Sequence, residues 1–296
     1  MGSELVRQLV DSGIHFGHRA CRWNPKMAPY IFGKRNTIHI IDIRETVKGL
    51  LRARKYITQV VGSGKSVLFV GTKRQARHQI QEQAKRVNMP FVSERWLGGT
   101  LTNFRTIRSR LTRLDELESA VADGTAQEYS KKMIASRTRE LRKIKRNLEG
   151  IRNMNALPGV VVVIDVQRER NAVREAKKLG IPTICLIDTD SDPDFADLPI
   201  PGNDDAMRGI EAVLTHLVDA VEEGLRGRAA REAEEAAAAK MAQANRRSEQ
   251  EAAARAEEAA KANAGAGEAV TQAGTVNVAS KGLAPAAATD PEPSPQ

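Results

Sequence analysis

The stretch Gly159–Val166, with the sequence GVVVVIDV, decides the fold class. Five consecutive β-branched apolar residues precede Asp165, without the apolar–polar alternation of a strand that has one face in water. Such a run is typical of a strand that helices cover on both faces, as in a parallel sheet. The sequence therefore predicts an α/β domain built around this strand.

Apolar, β-branched runs and amphipathic segments alternate on both sides of that strand. Turn signals such as Gly180 with Pro182 separate a helix end from a strand start. Strand–helix–strand repetition predicts a mostly parallel sheet flanked by helices. Further candidate strands are Ile38–Ile43, Ser66–Thr72, Phe91–Ser93 and Thr183–Asp188. Candidate helices are Arg44–Val61, Arg74–Val87, Arg168–Leu179 and Asp205–Leu225.

Residues 101–152 break this alternation. Apolar residues recur there in steps of three and four, from Leu101 to Leu117 and again from Ile134 to Ile151, with the polar stretch Ala122–Glu128 between them. This heptad-like period predicts two helices that pack as an antiparallel coiled-coil hairpin. Between Arg105 and Arg152 there are 13 basic and 7 acidic residues, so the hairpin is basic. Alone it fits a solvated helix pair as well as a binding element.

We expect three regions along the chain. Residues 1–100 and 153–226 form the α/β domain, residues 101–152 the inserted hairpin, and residues 227–296 a low-complexity tail. The Ala/Glu-rich first part of the tail can extend the last helix as a solvated rod. The remainder ends in PEPSPQ, is too poor in large apolar groups to pack, and is predicted to be disordered.

The positive charge is concentrated in the predicted folded part. Residues 1–226 carry a formal surplus of +11 and the tail carries −2, which together give the net charge of +9. A folded region with that surplus attracts phosphate, in nucleic acid or on an anionic membrane surface.

Several classes of protein do not fit the sequence. The longest apolar run, Val160–Ile164, is far shorter than the about 20 residues that a membrane-spanning helix needs. The N-terminal stretch resembles neither a secretory signal nor a transit peptide. The two cysteines, Cys21 and Cys185, allow no disulfide framework. We therefore expect a cytoplasmic protein without membrane contact.

The string GSGKS at Gly62–Ser66 imitates a nucleotide-binding phosphate loop. That motif needs Gly, four spacers and Gly-Lys-Ser/Thr, but Gln59 occupies the position of the required first glycine. The order of elements is also wrong, because a helix precedes this loop and a strand follows it, so no helix N-terminus faces a phosphate. We interpret the string as a helix end and a turn.

Two clusters invite a metal interpretation. His15, His18 and Cys21 are spaced three apart, but glycines interrupt their segment and no fourth ligand is evident. The acidic residues from Asp188 to Asp205 follow a candidate strand, where ligands collect in open α/β sheets. They also suit turns and helix N-caps, with Asp204 just before the last helix. We favour the structural interpretation in both cases and expect no bound metal.

Three basic segments indicate a binding function. Residues 15–35 mix cations with aromatic residues, residues 94–110 combine arginines with Gly98-Gly99 and polar side chains, and a third group begins a helix after a strand. Cations contact phosphates, while exposed rings stack on unpaired bases. Each segment alone equally suits a solvated loop, but three in one domain favour RNA. The predicted RNA-binding residues are Arg19, Arg22, Trp23, Lys26, Lys34, Arg35, Lys73, Arg74, Arg95, Trp96, Asn103, Arg105 and Arg108.

These segments resemble the ribosomal protein S-two family, the second protein of the small-subunit series. The similarity extends in order over about residues 3–226 and does not include the tail. The strings that carry it are LVDSGIHFGH from Leu9, WNPKM from Trp23, YIF from Tyr30, RWLGGTLTNF from Arg95, PG at Pro158 with the strand that follows, and IPGNDDA from Ile200.

The resemblance implies a flavodoxin-like, Rossmann-type α/β domain with the inserted hairpin, placed between head and body on the solvent side of the small ribosomal subunit. It also implies contacts with small-subunit ribosomal RNA and with other small-subunit proteins, including ribosomal protein S-one, which members help to hold near the messenger exit. We therefore expect a bacterial, non-enzymatic structural protein with neither a cofactor nor a small-molecule substrate.

Two alternatives belong to other classes. A nucleotide- or sugar-phosphate-binding enzyme on a doubly wound sheet would need a glycine fingerprint after the first strand and a placed catalytic base, and neither is visible. A free RNA-binding regulator would share the basic loops and differ only in not residing in ribosomes.

Overall fold

A computed structural model describes residues 2–123 and 130–268, without the side chains of residues 2, 3, 247–249 and 251–268. The described residues up to Ala233 form one compact unit, and a second unit begins at Glu234. In chain order the elements are α1 (Gly2–Asp11), β1 (Phe16–Arg19), β2 (Ile31–Arg35), β3 (Ile38–Ile41), α2 (Ile43–Gly62), β4 (Val67–Val70), α3 (Arg74–Arg86), β5 (Phe91–Val92), α4 (Phe104–Ala122), α5 (Lys131–Leu148), β6 (Val160–Ile164), α6 (Arg170–Lys178), β7 (Thr183–Ile187), β8 (Leu198–Pro201) and α7 (Met207–Glu268).

The central sheet is five-stranded and fully parallel, in the order β5-β4-β6-β7-β8. Counted within this sheet, that is the 2-1-3-4-5 order of flavodoxin-like folds. All residues of β6 are buried. Val160, Val162 and Ile164 pack into one hydrophobic core, while Val161 and Val163 pack into the core on the opposite face. The predicted α/β class and the doubly covered central strand are confirmed.

A second, antiparallel sheet in the order β1-β3-β2 forms from residues 16–41, where the sequence analysis predicted only one strand, Ile38–Ile43. Asn36 and Thr37 join β2 to β3 with φ values of 47° and 66°, the left-handed conformation of a tight hairpin turn. The predicted strand Ile38–Ile43 ends early because the Asp42 side chain accepts a hydrogen bond from the Arg44 N–H and begins α2.

The predicted hairpin is present as α4 and α5. Ile107, Leu111, Leu114 and Leu117 are buried along α4, and Leu148 is buried at the end of α5. These side chains belong to the heptad-like apolar seams that the sequence indicated. The predicted polar link Ala122–Glu128 lies mostly outside the described residues.

The GSGKS string closes α2, as predicted. Gly62 is the last residue of that helix, and the Ser63 N–H donates to the Gln59 carbonyl. Gly64 follows with φ at 86°, so the chain turns away before β4 begins. The string therefore does not have the strand–loop–helix order of a phosphate-binding loop.

The last helix begins at Met207, two residues later than predicted, after a turn in which Asn203 takes part. The Asn203 side chain accepts from the backbone N–H groups of Asp205 and Ala206. The prediction that Asp204 caps this helix is wrong, since its carboxylate pairs with Lys73 instead. The helix α7 continues through the Ala/Glu-rich part of the tail to Glu268, and residues 269–296 of the tail, for which disorder was predicted, lie outside the described residues.

No helix in the described part of the chain is both long enough and apolar enough to span a membrane.

Candidate nucleic-acid interface

The first basic segment presents its cations on the small antiparallel sheet. Arg19 on β1 and Arg35 on β2 both lie opposite Ile38 of the central strand β3. Residues directly opposite one another point to the same face, so the two arginines share a face with their backbones about 10 Å apart. Both are exposed, as are Arg22 and Lys34, and no ion pair to these four is found within residues 2–123 and 130–268. The segment therefore offers four cations to an external anion.

Trp23 and Lys26 belong to the same segment but have partners within the fold. The Trp23 indole packs against the His39 ring with centroids 5.2 Å apart, and 38% of the tryptophan is exposed. The Lys26 ammonium donates to Asp192 at 2.8 Å and to Asp194. These hydrogen bonds raise the pKa of Lys26 above its ordinary value. Trp23 keeps an accessible edge, whereas the charge of Lys26 is neutralised locally.

The second basic segment is organised by one carboxylate, that of Glu175 on α6. Its Oε1 accepts from the Trp96 indole N–H at 3.0 Å and from the Gly99 N–H at 2.9 Å. Its Oε2 accepts from the Leu101 N–H at 3.0 Å and from both the N–H and the hydroxyl of Thr102 at 3.2 Å. Burial raises the pKa of Glu175, but these donors outweigh burial and the net pKa is lowered. We call residues 96–102 with Glu175 the carboxylate-anchored loop.

Two exposed arginines flank this loop. Gly99 adopts φ at 87°, which a residue with a Cβ adopts only with strain, and its N–H is thereby aimed at Glu175. Arg95 and Arg105 are exposed on either side, and in the described chain neither forms an ion pair. The loop is therefore held from inside while its two guanidinium groups face solvent.

Three other predicted residues of this segment have internal roles. Trp96 is 8% exposed, with its N–H donated to Glu175, so the geometry gives it no free face for stacking on a base. The Asn103 side chain accepts from the Thr106 hydroxyl at the start of α4. Arg108 donates to the Met154 carbonyl. The structure does not support direct RNA contact for Trp96, and it leaves Asn103 and Arg108 exposed but internally hydrogen-bonded.

The third basic group divides into one enclosed and one exposed cation. The Lys73 side chain is only 12% exposed, and its ammonium lies 2.6 Å from Asp204, 2.7 Å from Asp205 and 3.5 Å from Asp165. Burial disfavours the ammonium, but the carboxylates outweigh it and the pKa of Lys73 is raised. Arg74, the first residue of α3, is exposed. The prediction that Lys73 contacts phosphate is not supported, because acids of the fold already surround it.

One of these acids, Asp204, also belongs to a group with His18 and Asp188 that can hold a cation. The ligand atoms of His18, Asp188 and Asp204 lie within 4.8 Å of one another, and the two carboxylates are buried. Such a nitrogen and oxygen donor set suits a divalent ion such as zinc. A proton on His18 also satisfies this group, because Nδ1 of His18 lies 2.9 Å from Oδ2 of Asp188, and this pairing raises the pKa of His18 to about 9. His15 and Cys21 do not join it.

An apolar groove of about 590 Å³ lies between α1, the small sheet and α2. Among its lining residues, Phe32 is 79% exposed, and Val6 and Val10 are about two-fifths exposed. Apolar surface of this kind gains nothing from phosphate and is typical of a contact with protein.

The sequence analysis missed Glu175 and the role of His18 next to the acids. Glu175 lies on a short, highly charged helix, and the residues around it do not distinguish it from an acid that simply faces solvent. The groups that it binds are more than 70 residues earlier in the chain. For His18, the sequence did contain a signal. The acids that follow β7 lie at the carboxyl edge of the sheet, where an open α/β sheet collects polar groups from other segments.

Comparisons with known proteins agree with these observations. The family described as "Ribosomal protein S2" matches residues 9–224. The small ribosomal subunit protein uS2 of Rhodopirellula baltica is 62% identical over 221 residues, which cover 75% of this chain and 85% of that protein. The protein of the same name from Syntrophobacter fumaroxidans is 51% identical over 221 residues, 75% of this chain and 81% of that protein. With the flavodoxin-like strand order and the inserted hairpin, these matches show that the chain belongs to the ribosomal protein S2 family.

Proposed function

We propose that this chain, a structural constituent of the small ribosomal subunit in translation, attaches to the subunit's RNA by exposed cations of two segments. One set, Arg19, Arg22, Lys34 and Arg35, lies on the small antiparallel sheet. The other, Arg95 and Arg105, flanks the carboxylate-anchored loop. Cations placed in this way neutralise RNA phosphates and release counterions.

The carboxylate-anchored loop is the observation that carries the proposal. Four backbone or side-chain N–H groups and one hydroxyl converge on Glu175, so the loop conformation is set before any partner arrives. A loop that is already ordered loses little conformational entropy on binding. Arg95 and Arg105 are therefore presented at a fixed spacing, which favours recognition of a folded RNA surface.

The proposed mechanism is binding without catalysis. The one glycine-rich string that could have held a nucleotide ends a helix instead of beginning one. The titratable cluster around His18 is linked to Lys73 through shared carboxylates and joins β4 to the segments after β6, β7 and β8. Its evident role is to hold these segments together at one edge of the sheet.

Neighbouring small-subunit proteins, ribosomal protein S-one among them, are the second class of partner that we propose. The family resemblance suggests them, and the apolar groove with Phe32 at its edge supports a protein contact on that side. A photo-cross-linking side chain at Phe32 should label a ribosomal protein rather than RNA in assembled subunits. Labelling of RNA alone would contradict this assignment.

The RNA contact is tested with the double variant Arg95→Ala, Arg105→Ala. Small subunits are assembled without this protein, and the wild-type or variant chain is then added at several salt concentrations. The matched control is Lys177→Ala, Lys178→Ala on α6, two exposed cations outside both segments. We expect the loop variant to show lower occupancy and a slope of log affinity against log salt that is shallower by about 1.4 to 1.8, at 0.7–0.9 per lost phosphate contact. Equal occupancy of both variants would count against the loop as an RNA contact.

A further inference from the structure

The two tryptophans of the chain have opposite surroundings. Trp96 is 8% exposed, and its indole N–H donates to Glu175. Trp23 is 38% exposed, and within the described part of the chain its indole N–H has no hydrogen-bond partner. A large ring that stays exposed with an unused donor is typical of a contact with another molecule, because Trp combines an apolar body with a polar N–H.

His39 supports the Trp23 ring from one side. The centroids of the two rings are 5.2 Å apart, and their planes are inclined by 39°. Both ring nitrogens of His39 are buried, and among the described residues neither has a hydrogen-bond partner, so the imidazole acts here as a packing surface. Since His39 covers one side of the indole, the exposed part of Trp23 is the side turned away from His39.

The chain that follows Trp23 is fixed to the α/β domain. The Asn24 N–H donates to the Thr189 carbonyl at 2.8 Å, and the Asn24 side chain accepts from the Lys26 N–H at 3.0 Å. Met27 is fully buried. The position of the indole is therefore set before a ligand arrives, which lowers the entropic cost of binding.

Two exposed cations lie beside the indole. Arg22 directly precedes Trp23 in the chain, and Lys34 of β2 lies opposite His39 of β3. Side chains opposite one another in antiparallel strands project from the same face of the sheet, so Lys34 lies on the face that carries the indole. The described chain offers an ion pair to neither cation. The surroundings of the exposed ring are thus positively charged.

This combination fits an unpaired nucleotide. Its base has a π-face that stacks on an indole, and the phosphates on its two sides neutralise nearby cations. A base inside a duplex is stacked between its neighbours and cannot lie on the ring. An apolar protein segment would cover the ring but would leave Arg22 and Lys34 without a counter-charge.

We infer that Trp23 stacks on the base of one unpaired nucleotide of the small-subunit RNA, with Arg22 and Lys34 contacting the adjoining phosphates. This inference rests on the proposed function and deepens it. Cations alone contact phosphates in any sequence or shape of RNA, whereas the stacking contact at Trp23 selects a place where the RNA is single-stranded.

The first test compares Trp23→Leu, which is apolar without a ring, with Trp23→Phe, which keeps an aromatic face. Each chain is added to small subunits assembled without this protein, at several salt concentrations. We expect Trp23→Leu to lose about 5- to 140-fold in affinity, the range for loss of one base–aromatic stack. The salt slope should stay unchanged, because no cation is removed. Trp23→Phe should recover most of the affinity. Equal affinity of Trp23→Leu and wild type, or an equal loss in both variants, would overturn the inference.

Trp96 provides a check on folding in this comparison. It is the remaining tryptophan of both variants, and because it is buried against Glu175, its fluorescence reports whether the α/β domain is intact.

A second measurement does not depend on the stability of Trp23→Leu. The photoreactive residue benzoylphenylalanine, which is itself aromatic, replaces Trp23, and assembled subunits are irradiated. We expect a cross-link to one ribosomal RNA nucleotide whose base is accessible to base-specific reagents in subunits that lack this protein. A cross-link to a ribosomal protein alone, or to a base-paired nucleotide, would overturn the inference.

The tests separate this inference from the proposed function. If Trp23→Leu binds as the wild type does while Arg95→Ala, Arg105→Ala binds poorly, the inference fails and the proposed function stands. If the wild-type chain does not bind small subunits at all, both fail.

Discussion

The segments that follow β4 and β5 look alike in the sequence and differ in the fold. Each places a basic residue just beyond a strand of the parallel sheet, Lys73 after β4 and Arg95 after β5. Lys73 is enclosed by Asp165, Asp204 and Asp205, whereas Arg95 is exposed and has no acidic partner among the residues that the structure describes. The acids around Lys73 come from segments more than 90 residues later. Whether a cation is available to RNA is thus decided by residues that are distant in the chain.

The carboxylates near Lys73 and the carboxylate near Arg95 also act differently. At Lys73 they neutralise the cation itself. At Arg95 the nearby carboxylate, Glu175, takes its hydrogen bonds from backbone and indole N–H groups and leaves the arginine unpaired. The first arrangement stabilises the fold, and the second prepares a surface. A variant that removes the first arrangement should therefore mainly lower stability, and a variant that removes the second should also weaken binding.

Lys73→Gln should have the largest effect on stability. The substitution removes the ammonium partner of Asp204, which is only 1% exposed and lies among other acids. Breaking a buried ion pair by removing one partner costs about 3–5 kcal/mol. We expect the free energy of unfolding, measured by urea titration, to fall by that amount. Arg74→Gln is the adjacent control, since Arg74 is exposed and its loss should change stability by less than about 0.5 kcal/mol. Equal stability of the two variants would contradict the comparison.

Glu175→Ala should come next in magnitude. It removes the acceptor of the Trp96 indole and of three backbone N–H groups, and unsatisfied buried donors cost about 1–3 kcal/mol each where water does not replace the partner. Because the site is half-buried and water reaches part of it, we expect a loss of about 2–3 kcal/mol in the free energy of unfolding. Subunit binding should weaken as well, although no cation is removed. Unchanged RNA binding would show that the loop does not need its anchor.

The stabilisation by Glu175 should depend on pH in a defined direction. Its pKa is lowered in the fold, so the ionised carboxylate contributes its full stabilisation above the ordinary value near pH 4.3 and loses it as the pH falls through the lowered value. The difference in unfolding free energy between wild type and Glu175→Gln should be constant above about pH 5 and shrink in more acidic solution. A difference that grows on acidification would have the wrong sign for an anchoring carboxylate.

Arg19→Ala with Arg35→Ala should have the smallest effect on stability and still change binding. Both side chains are exposed on the small sheet, so the free energy of unfolding should change by less than about 0.5 kcal/mol. If both contact phosphates, the salt slope of subunit binding should fall by about 1.4 to 1.8. Lys177→Ala with Lys178→Ala again serves as the control. A normal slope would leave the loop as the principal contact of the α/β domain.

The sequence predicted those parts of the fold that local patterns determine. The run after Gly159 identified the central strand, and the three-and-four spacing from Leu101 identified the hairpin. β8 was missed because its sequence LPIP holds two prolines, which strand patterns avoid except at sheet edges, where β8 lies. Of the small antiparallel sheet only β3 was predicted; β1 and β2 were missed because their sequences, FGHR and IFGKR, mix glycine and cations with the apolar residues and contain no apolar β-branched run.

The candidate site was less predictable than the fold. The basic character of residues 15–35 and 94–110 is visible in the sequence, but the availability of each cation is not. Lys26 is neutralised by Asp192 and Asp194, more than 160 residues away, and Trp96 is buried against α6. Only long-range packing decides such pairings, so composition overestimated the number of residues free to contact RNA.

Sedimentation of cell extract through sucrose gradients at low and high salt tests the central claim most directly. We predict that the chain travels with small subunits at low and moderate salt and is progressively released as salt rises, because phosphate contacts weaken with ionic strength. A chain that stays at the top of the gradient under every salt condition would contradict its assignment as a structural constituent bound through RNA.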